Sequence, residues 1–458
     1  MTRRSETKPD GTADGIVCDA AAGVQEPVDI DTLGLEAEAA QDIAIARQDE
    51  GRPEKTTHAL ASMLGPAFVA AVAYVDPGNV AANLTSGAKY GYMLVWVLVA
   101  ANCMSVLIQY QAAKLGVVTG KSLPQILGER MGAAGRFLFF MQAEVIAIAT
   151  DLAEVIGGAI ALNLLFGIPM LLGGCIIGAV STLLLFVQGG ETHRIFERLV
   201  IGLLLVITFG FIAGLFMDPP NPLAVAEGLM PRFSDGASVL MAASMLGATV
   251  MPHAIYLHST LVNDHFGKGV DRPSVPEMMH GSRIDVVWAL AIAGSVNIAL
   301  LVIAANSLHG MGGTDTIEGA QHAITQVLGP TVGTIFSIGL LASSLSSTSV
   351  GTYAGSEIMK GLLRVKAPMW ACRIVTLVPA LVVLAFASNP TEALIIGQVV
   401  LSIGIPFAII PLMRYTHDRE IMGKYADGMV KHIICLAVCA VIVLLNLVLI
   451  VLTAMGKA

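Results

Sequence analysis

AYVDPGN, residues 73–79, interrupts an apolar stretch that runs from about residue 60 to 86. Proline at 77 removes a backbone donor and clashes one turn back, and Gly78 adds backbone freedom. No helix passes intact through Asp76-Pro77-Gly78-Asn79. A second apolar stretch, near 237–262, carries Met251-Pro252-His253 at the corresponding depth. Aligned on the prolines, Ala73-Tyr74-Val75-Asp76-Pro77 and Ala248-Thr249-Val250-Met251-Pro252 share the pattern A-x-V-x-P, 175 residues apart. The two interruptions fall on the first and sixth of a series of apolar spans. An offset of five, being odd, turns the second copy upside down, the arrangement of inverted-repeat transporters whose half-helices meet near the membrane midplane.

The surrounding chain belongs in a bilayer. Of its 458 residues 55% are apolar and 13% charged, where an ordinary soluble domain carries about 25% charged residues. Such a chain cannot clothe a water-soluble globule, and a soluble enzyme is excluded. We expect an all-α integral membrane protein with eleven spans near 60–86, 92–113, 137–165, 168–187, 196–217, 237–262, 284–308, 331–358, 370–388, 391–413 and 432–455. Residues 1–57 hold no apolar run and read as a disordered cytoplasmic tail ahead of a transmembrane domain at 58–458. With the N-terminus inside, the segments assigned to the cytoplasm hold 20 Lys and Arg against 3 on the other face, which puts the N-terminus in the cytoplasm and the C-terminus outside. The expected location is the plasma (inner) membrane. No basic patch for nucleic acid is present, and no obligatory protein partner is evident. The six cysteines, at 18, 103, 175, 372, 435 and 439, form neither a disulfide framework nor a CxxC metal motif.

An aspartate in mid-membrane needs a compensating charge, and Asp76 has no basic residue in its own span. A bound cation or proton is the natural compensator. Asn79 offers an amide oxygen one turn on, and unwinding frees the carbonyls of Ala73 and Ala248. Met251 discriminates among cations: a thioether does little for Mg²⁺ or Ca²⁺ but suits late transition metals and is tolerable for Mn²⁺ and Fe²⁺. These donors describe a mixed-ligand divalent site. In the third span, Glu144, Asp151 and Glu154 lie seven and three residues apart and share one helical face. Acids in series inside a membrane mark proton paths. His253, beside the second interruption, is a candidate proton relay, and His258 is equally readable as a hydrogen-bonded core residue. Asn102, Gln109 and Asn297 read chiefly as interhelical hydrogen-bonding residues, and Ser343, Ser344, Ser346, Ser347 and Thr348 as small-residue packing.

AYVDPGN at 73–79 and TVMPHAIYLHS at 249–259 resemble the two signatures of the natural resistance-associated macrophage protein (Nramp) family of proton-coupled metal-ion transporters, and the resemblance extends over about 58–455. It implies a LeuT-type inverted repeat, spans 1–5 and 6–10, with helices 1 and 6 broken and span 11 added. It further implies that Asp76, Asn79, Met251 and the carbonyls of Ala73 and Ala248 ligate the metal, with Gln398 of LIIGQVVLSIGIPF joining in some conformations. The implied proton route runs through Asp76 and His253 to Asp151 and Glu154, toward basic residues of the ninth span. There the chain departs from close bacterial relatives, which carry two consecutive arginines where this sequence has Cys372-Arg373. Arg373 can neutralise one acid, and the other loses its expected partner.

The expectation is thus a secondary transporter that imports Mn²⁺, with Fe²⁺, Co²⁺ and Cd²⁺, together with protons, and holds no permanent cofactor. A sodium-coupled organic-solute transporter of the same fold predicts no role for the thioether. A metal or proton channel predicts currents without coupled, saturable exchange. An intramembrane enzyme is disfavoured because no HExxH, GxSxG or paired-aspartate arrangement occurs.

Overall fold

The computed structural model describes residues 63–186, 193–267, 272–314, 316–365, 368–386 and 390–455. These lie in the second of two units, Thr57–Ala458, and the tail expected at 1–57 lies outside the described residues. Among the described residues there is helix and connecting turn and no strand.

The first interruption is built as the sequence demands. Helix α1 (Pro66–Ala71) tightens into a 3₁₀ turn at Val72–Val75, Asp76 is extended (φ −71°, ψ 166°), and α2 (Pro77–Tyr90) restarts on the proline. At the first helical position a proline's missing N–H costs nothing. There follow α3 (Val95–Thr119), α4 (Leu123–Arg130), α5 (Ala133–Phe166), α6 (Met170–Phe186), α7 (His193–Met217) and α8 (Pro222–Glu227). The second interruption repeats the first: α9 (Gly236–Thr249) stops, Val250 and Met251 are extended, and α10 (Pro252–Phe266) restarts on Pro252. The chain closes with α11 (Val275–Ser307), α12 (Ile317–Leu328), α13 (Pro330–Leu363), α14 (Met369–Phe386), α15 (Pro390–His417), α16 (Arg419–Met422) and α17 (Met429–Ala454).

Eight helical runs among the described residues are long and apolar enough to cross a membrane. Two features separate this number from the eleven spans expected. The run Pro77–Thr119 joins the outer half of the first span to the second, and Pro66–Val75, Met170–Leu184 and Trp370–Phe386 are shorter apolar helices. Helix also occurs between the expected spans. Residues 275–283 extend α11 because Ser274 and Glu277 form a capping box. The connection after α11 contains α12, started by the Thr316 hydroxyl accepting from Gly319 N.

Packing follows the five-span offset. The second span, α3, packs along the seventh, α11, and the third, α5, packs most extensively along the eighth, α13. Each pair consists of repeat-related helices, so the two halves interlock around the interruptions. The apolar surface left outward on α7, α14 and α17, such as Phe209, Phe216, Val378, Phe386, Ile433 and Leu444, faces where lipid replaces water.

Candidate functional site

The two interruptions meet. Asp76 is the N-cap of α2, and its Oδ1 accepts from Asn79 N at 2.8 Å and Asn79 Nδ2 at 2.7 Å. The same Asn79 Nδ2 donates at 3.0 Å to Ala248 O, a carbonyl at the end of α9. One side chain therefore ties the two broken helices together through two of the expected ligands. Thr249 adds a weak contact, its hydroxyl 3.5 Å from Asn79 Oδ1 while it donates to Met245 O at 2.7 Å.

The remaining donors are left over from this web. Among the described residues Asp76 Oδ2 is buried without a hydrogen-bond partner, as are both ends of the Gln398 amide. Met251 is the N-cap of α10 and is fully buried, yet a thioether accepts no useful bond from the helix start, so no side chain caps α10. Gly78 gives Gln398 its place: a Cβ at 78 would fall on Gln398 Nε2 and 3.2 Å from Asp76 Oδ2. Asp76, Asn79, Ala248 and Gln398 are thereby brought together, with Met251 and Ala73 next to the two interruptions. Among the described residues no group of three or more His, Cys, Asp and Glu side chains could hold a metal. A cation here would be held by one carboxylate and otherwise neutral donors.

The expected proton residues divide into two groups. His253, Glu144, Asp151 and Glu154 line one cavity, together with Thr150, Cys372 and Thr376. Neither ring nitrogen of His253 has a hydrogen-bond partner among the described residues. Arg373, fully buried on α14, pairs with Asp151 and donates to Ser181 Oγ at 2.9 Å. One guanidinium thus serves a cavity with three acids, and the neighbouring Cys372 supplies no charge. His258 belongs elsewhere: its Nδ1 lies 2.7 Å from Gln109 Oε1, and Gln109 Nε2 donates at 2.8 Å to the Tyr74 hydroxyl.

Sequence reasoning read Asn297 as an interhelical hydrogen-bonding residue without naming its partners, and it missed that Ser343 also holds the unwound backbone. Asn297 donates to Tyr74 O at 2.8 Å and accepts from Asn83 Nδ2 at 2.8 Å, while Ser343 donates to Val75 O. Freed carbonyls in a membrane interior need such partners. Ser344 donates to Glu154 O within the unbroken α5, a packing contact rather than a repair. The serines read as packing do pack, but Ser343 also satisfies the peptide immediately before Asp76. The only available signal was that a broken helix must be repaired by polar side chains on its neighbours.

The sequence profile described as "Natural resistance-associated macrophage protein-like" matches residues 67–452. The chain belongs to the Nramp family. Within it, the chain is 51% identical over 394 residues to the divalent metal cation transporter MntH of Mycobacterium tuberculosis, covering 86% of this chain and 92% of that protein. It is 42% identical over 388 residues to the MntH of Aeromonas hydrophila, covering 84% and 94%. Among solved structures, an Eremococcus coleocola manganese transporter superposes with a TM-score of 0.78 at 29% identity, covering 87% of this chain and 88% of that one. The nucleobase-cation symporter MHP1 superposes at 0.57 with 15% identity, a likeness of fold alone. This Nramp chain is therefore a membrane protein of the LeuT-like fold and a divalent metal-ion transporter by family.

Proposed function

We propose that this Nramp protein imports Mn²⁺, and also Fe²⁺, Co²⁺ and Cd²⁺, into the cytoplasm with protons by alternating access. The observation that carries the reading is the pairing of an unsatisfied, buried Asp76 oxygen with a buried Met251 at the facing interruptions. Hard carboxylate and soft thioether together favour a transition-metal ion over Mg²⁺ or Ca²⁺. The ion would take Asp76 Oδ2 directly. Asn79 would exchange its two donated hydrogen bonds for its amide oxygen, which releases Ala248 O as a further ligand, and Ala73 O and Gln398 would complete the shell.

The same exchange links the ion to a proton. A carboxyl that releases its proton as the metal binds needs an acceptor near the interruption. His253 faces the cavity that leads to Asp151 and Glu154, with Glu144 beyond them. Arg373 balances Asp151, and Glu154 is left to carry the proton. His258, linked through Gln109 to Tyr74, serves the hinge of the first interruption instead. The reading takes the eleven spans and the cytoplasmic N-terminus from the sequence.

Mn²⁺ uptake into proteoliposomes with internal pH recorded tests the proposal. Saturable uptake accompanied by internal acidification is the expected result, and uptake without a pH change would remove the proton from the mechanism.

A further inference from the structure

Helix α1 is six residues long, too short to persist on its own, and the interruption at 72–76 uncouples it from α2. What holds it is not its own sequence. Its N-cap is Gly65, at φ +152°, and no side chain of the segment caps it. The first N–H groups of a helix have no partner within the helix. Here Gly65 N donates to Asp285 Oδ1 at 3.0 Å and Ala67 N to Asp285 Oδ2 at 2.7 Å. Asp285 sits on α11, some 220 residues away in sequence, and is 1% exposed. Both carboxylate oxygens are thus spent on the backbone of another helix.

The surroundings concentrate on this one point. The Glu197 carboxylate of α7 lies against Gly65, within 3.2–3.3 Å of where a Cβ would stand. His265, at the end of α10, lies 2.9 Å from Glu197 Oε1. Helices α7 and α11 therefore present carboxylates to the start of α1, and α10 brings a histidine against one of them, at the end of the bundle assigned to the cytoplasm.

We propose that Asp285 is the tether that keeps the inner half-helix closed, and that its release is the step that opens the site toward the cytoplasm. The proposal rests on the alternating-access reading above. In a dry interior, withdrawing α1 would strand two N–H groups and a carboxylate, each costly to leave unpaired. Opening therefore requires water to take the place of those bonds. The tether makes closure the default and ties inward opening to hydration of the inner vestibule. Asp285 touches no ligand of the ion and acts through α1, so it is a positioning residue.

The test uses full-length protein with all six cysteines replaced by serine and a single reporter, Ala70→Cys, on the buried face of α1. Its labelling by a maleimide is followed in the absence of metal, for Asp285 intact and for Asp285→Asn, Asp285→Ala and Asp285→Glu. Loss of a charge-assisted pair predicts labelling about tenfold faster in Asp285→Asn and faster still in Asp285→Ala. Asp285→Glu should fall between these and the parent. With the native cysteines present, Asp285→Asn should bind Mn²⁺ with unchanged affinity and transport it at a reduced maximal rate. Labelling of folded Asp285→Asn at the parent's rate would overturn the tether, whatever becomes of Asp285→Ala. Because labelling is read without metal, it stands apart from the cargo assignment, which fails instead if the parent protein binds no Mn²⁺.

Discussion

The two interruptions occupy equivalent places in the repeat and solve the same problem with opposite chemistry. At the first, Asp76 caps the restarting helix with one oxygen and keeps the other free. At the second, Met251 sits in the cap position and caps nothing. A helix start without a cap gives up about 1 kcal/mol, and α10 bears that cost to place a sulfur where an oxygen would be the stable choice. The first half provides charge and geometry; the second provides softness. Stability is conceded at the residue proposed to distinguish one divalent ion from another.

Removing the hard side of this pair should have the largest effect. Asp76→Asn can still accept from Asn79 N and so preserve the cap, yet it has no charge for the ion. Saturable Mn²⁺ uptake should fall to background while the protein remains folded and monodisperse. Residual uptake above a tenth of wild type would mean that the carboxylate is not the anchor.

The next effect concerns the space between the halves. Gly78→Ala places a methyl on the Gln398 amide, so uptake should fall by about an order of magnitude, as a displaced ligand of one to two kcal/mol would require. Combining it with Gln398→Ala should recover part of the loss. A double variant no better than Gly78→Ala alone would show that the methyl disturbs Asp76 rather than Gln398.

Smaller effects separate the site from its scaffold. Asn297→Ala strands the Tyr74 carbonyl, and Ser343→Ala strands that of Val75. Each should cost about 1–3 kcal/mol, seen as a lower unfolding temperature in detergent, with Mn²⁺ selectivity unchanged. A change of selectivity without a change of stability would place these residues in the ion's shell.

The smallest effect lies outside the membrane, where Asp427 tests how the segment before the eleventh span is fastened to the second span, α3. Burial alone would raise this carboxyl, but hydrogen bonds from Lys114, Lys431 and Gln111 outweigh it and hold the group below the ordinary carboxylate range. A depressed value means stability that is fully present above the unfolded-state value and is lost as pH falls through the folded one. Resistance to thermal unfolding should therefore weaken on acidification, and Asp427→Asn should be less stable at neutral pH and less sensitive to acid. Equal acid sensitivity in the two proteins would assign the dependence to other groups.

The interruptions were legible because proline and glycine act on the backbone wherever they stand, and because Asp76 and Met251 are conspicuous against alanine and valine. The apolar spans were legible for the same reason. Asn297 was legible as an interhelical hydrogen-bonding residue but its partners were not, and the role of Ser343 was not, since a serine in a membrane helix has many uses and only the partner decides among them. Helix α12 was hidden because twelve residues of mixed polarity between two spans resemble any loop until Thr316 is seen to cap them. The division between His253, on the acid-lined cavity, and His258, on the Tyr74 network, depends on which neighbours each faces, and spacing along α10 does not specify that.

The measurement that bears most directly on the complementary roles of the two interruptions is Mn²⁺ uptake by wild type and Met251→Ala, with and without excess Mg²⁺. The account predicts that wild type ignores Mg²⁺, whereas Met251→Ala still binds divalent ions through Asp76 and is inhibited by Mg²⁺. Indifference to Mg²⁺ in Met251→Ala, with Mn²⁺ uptake unchanged, would make Met251 a packing residue and contradict the account.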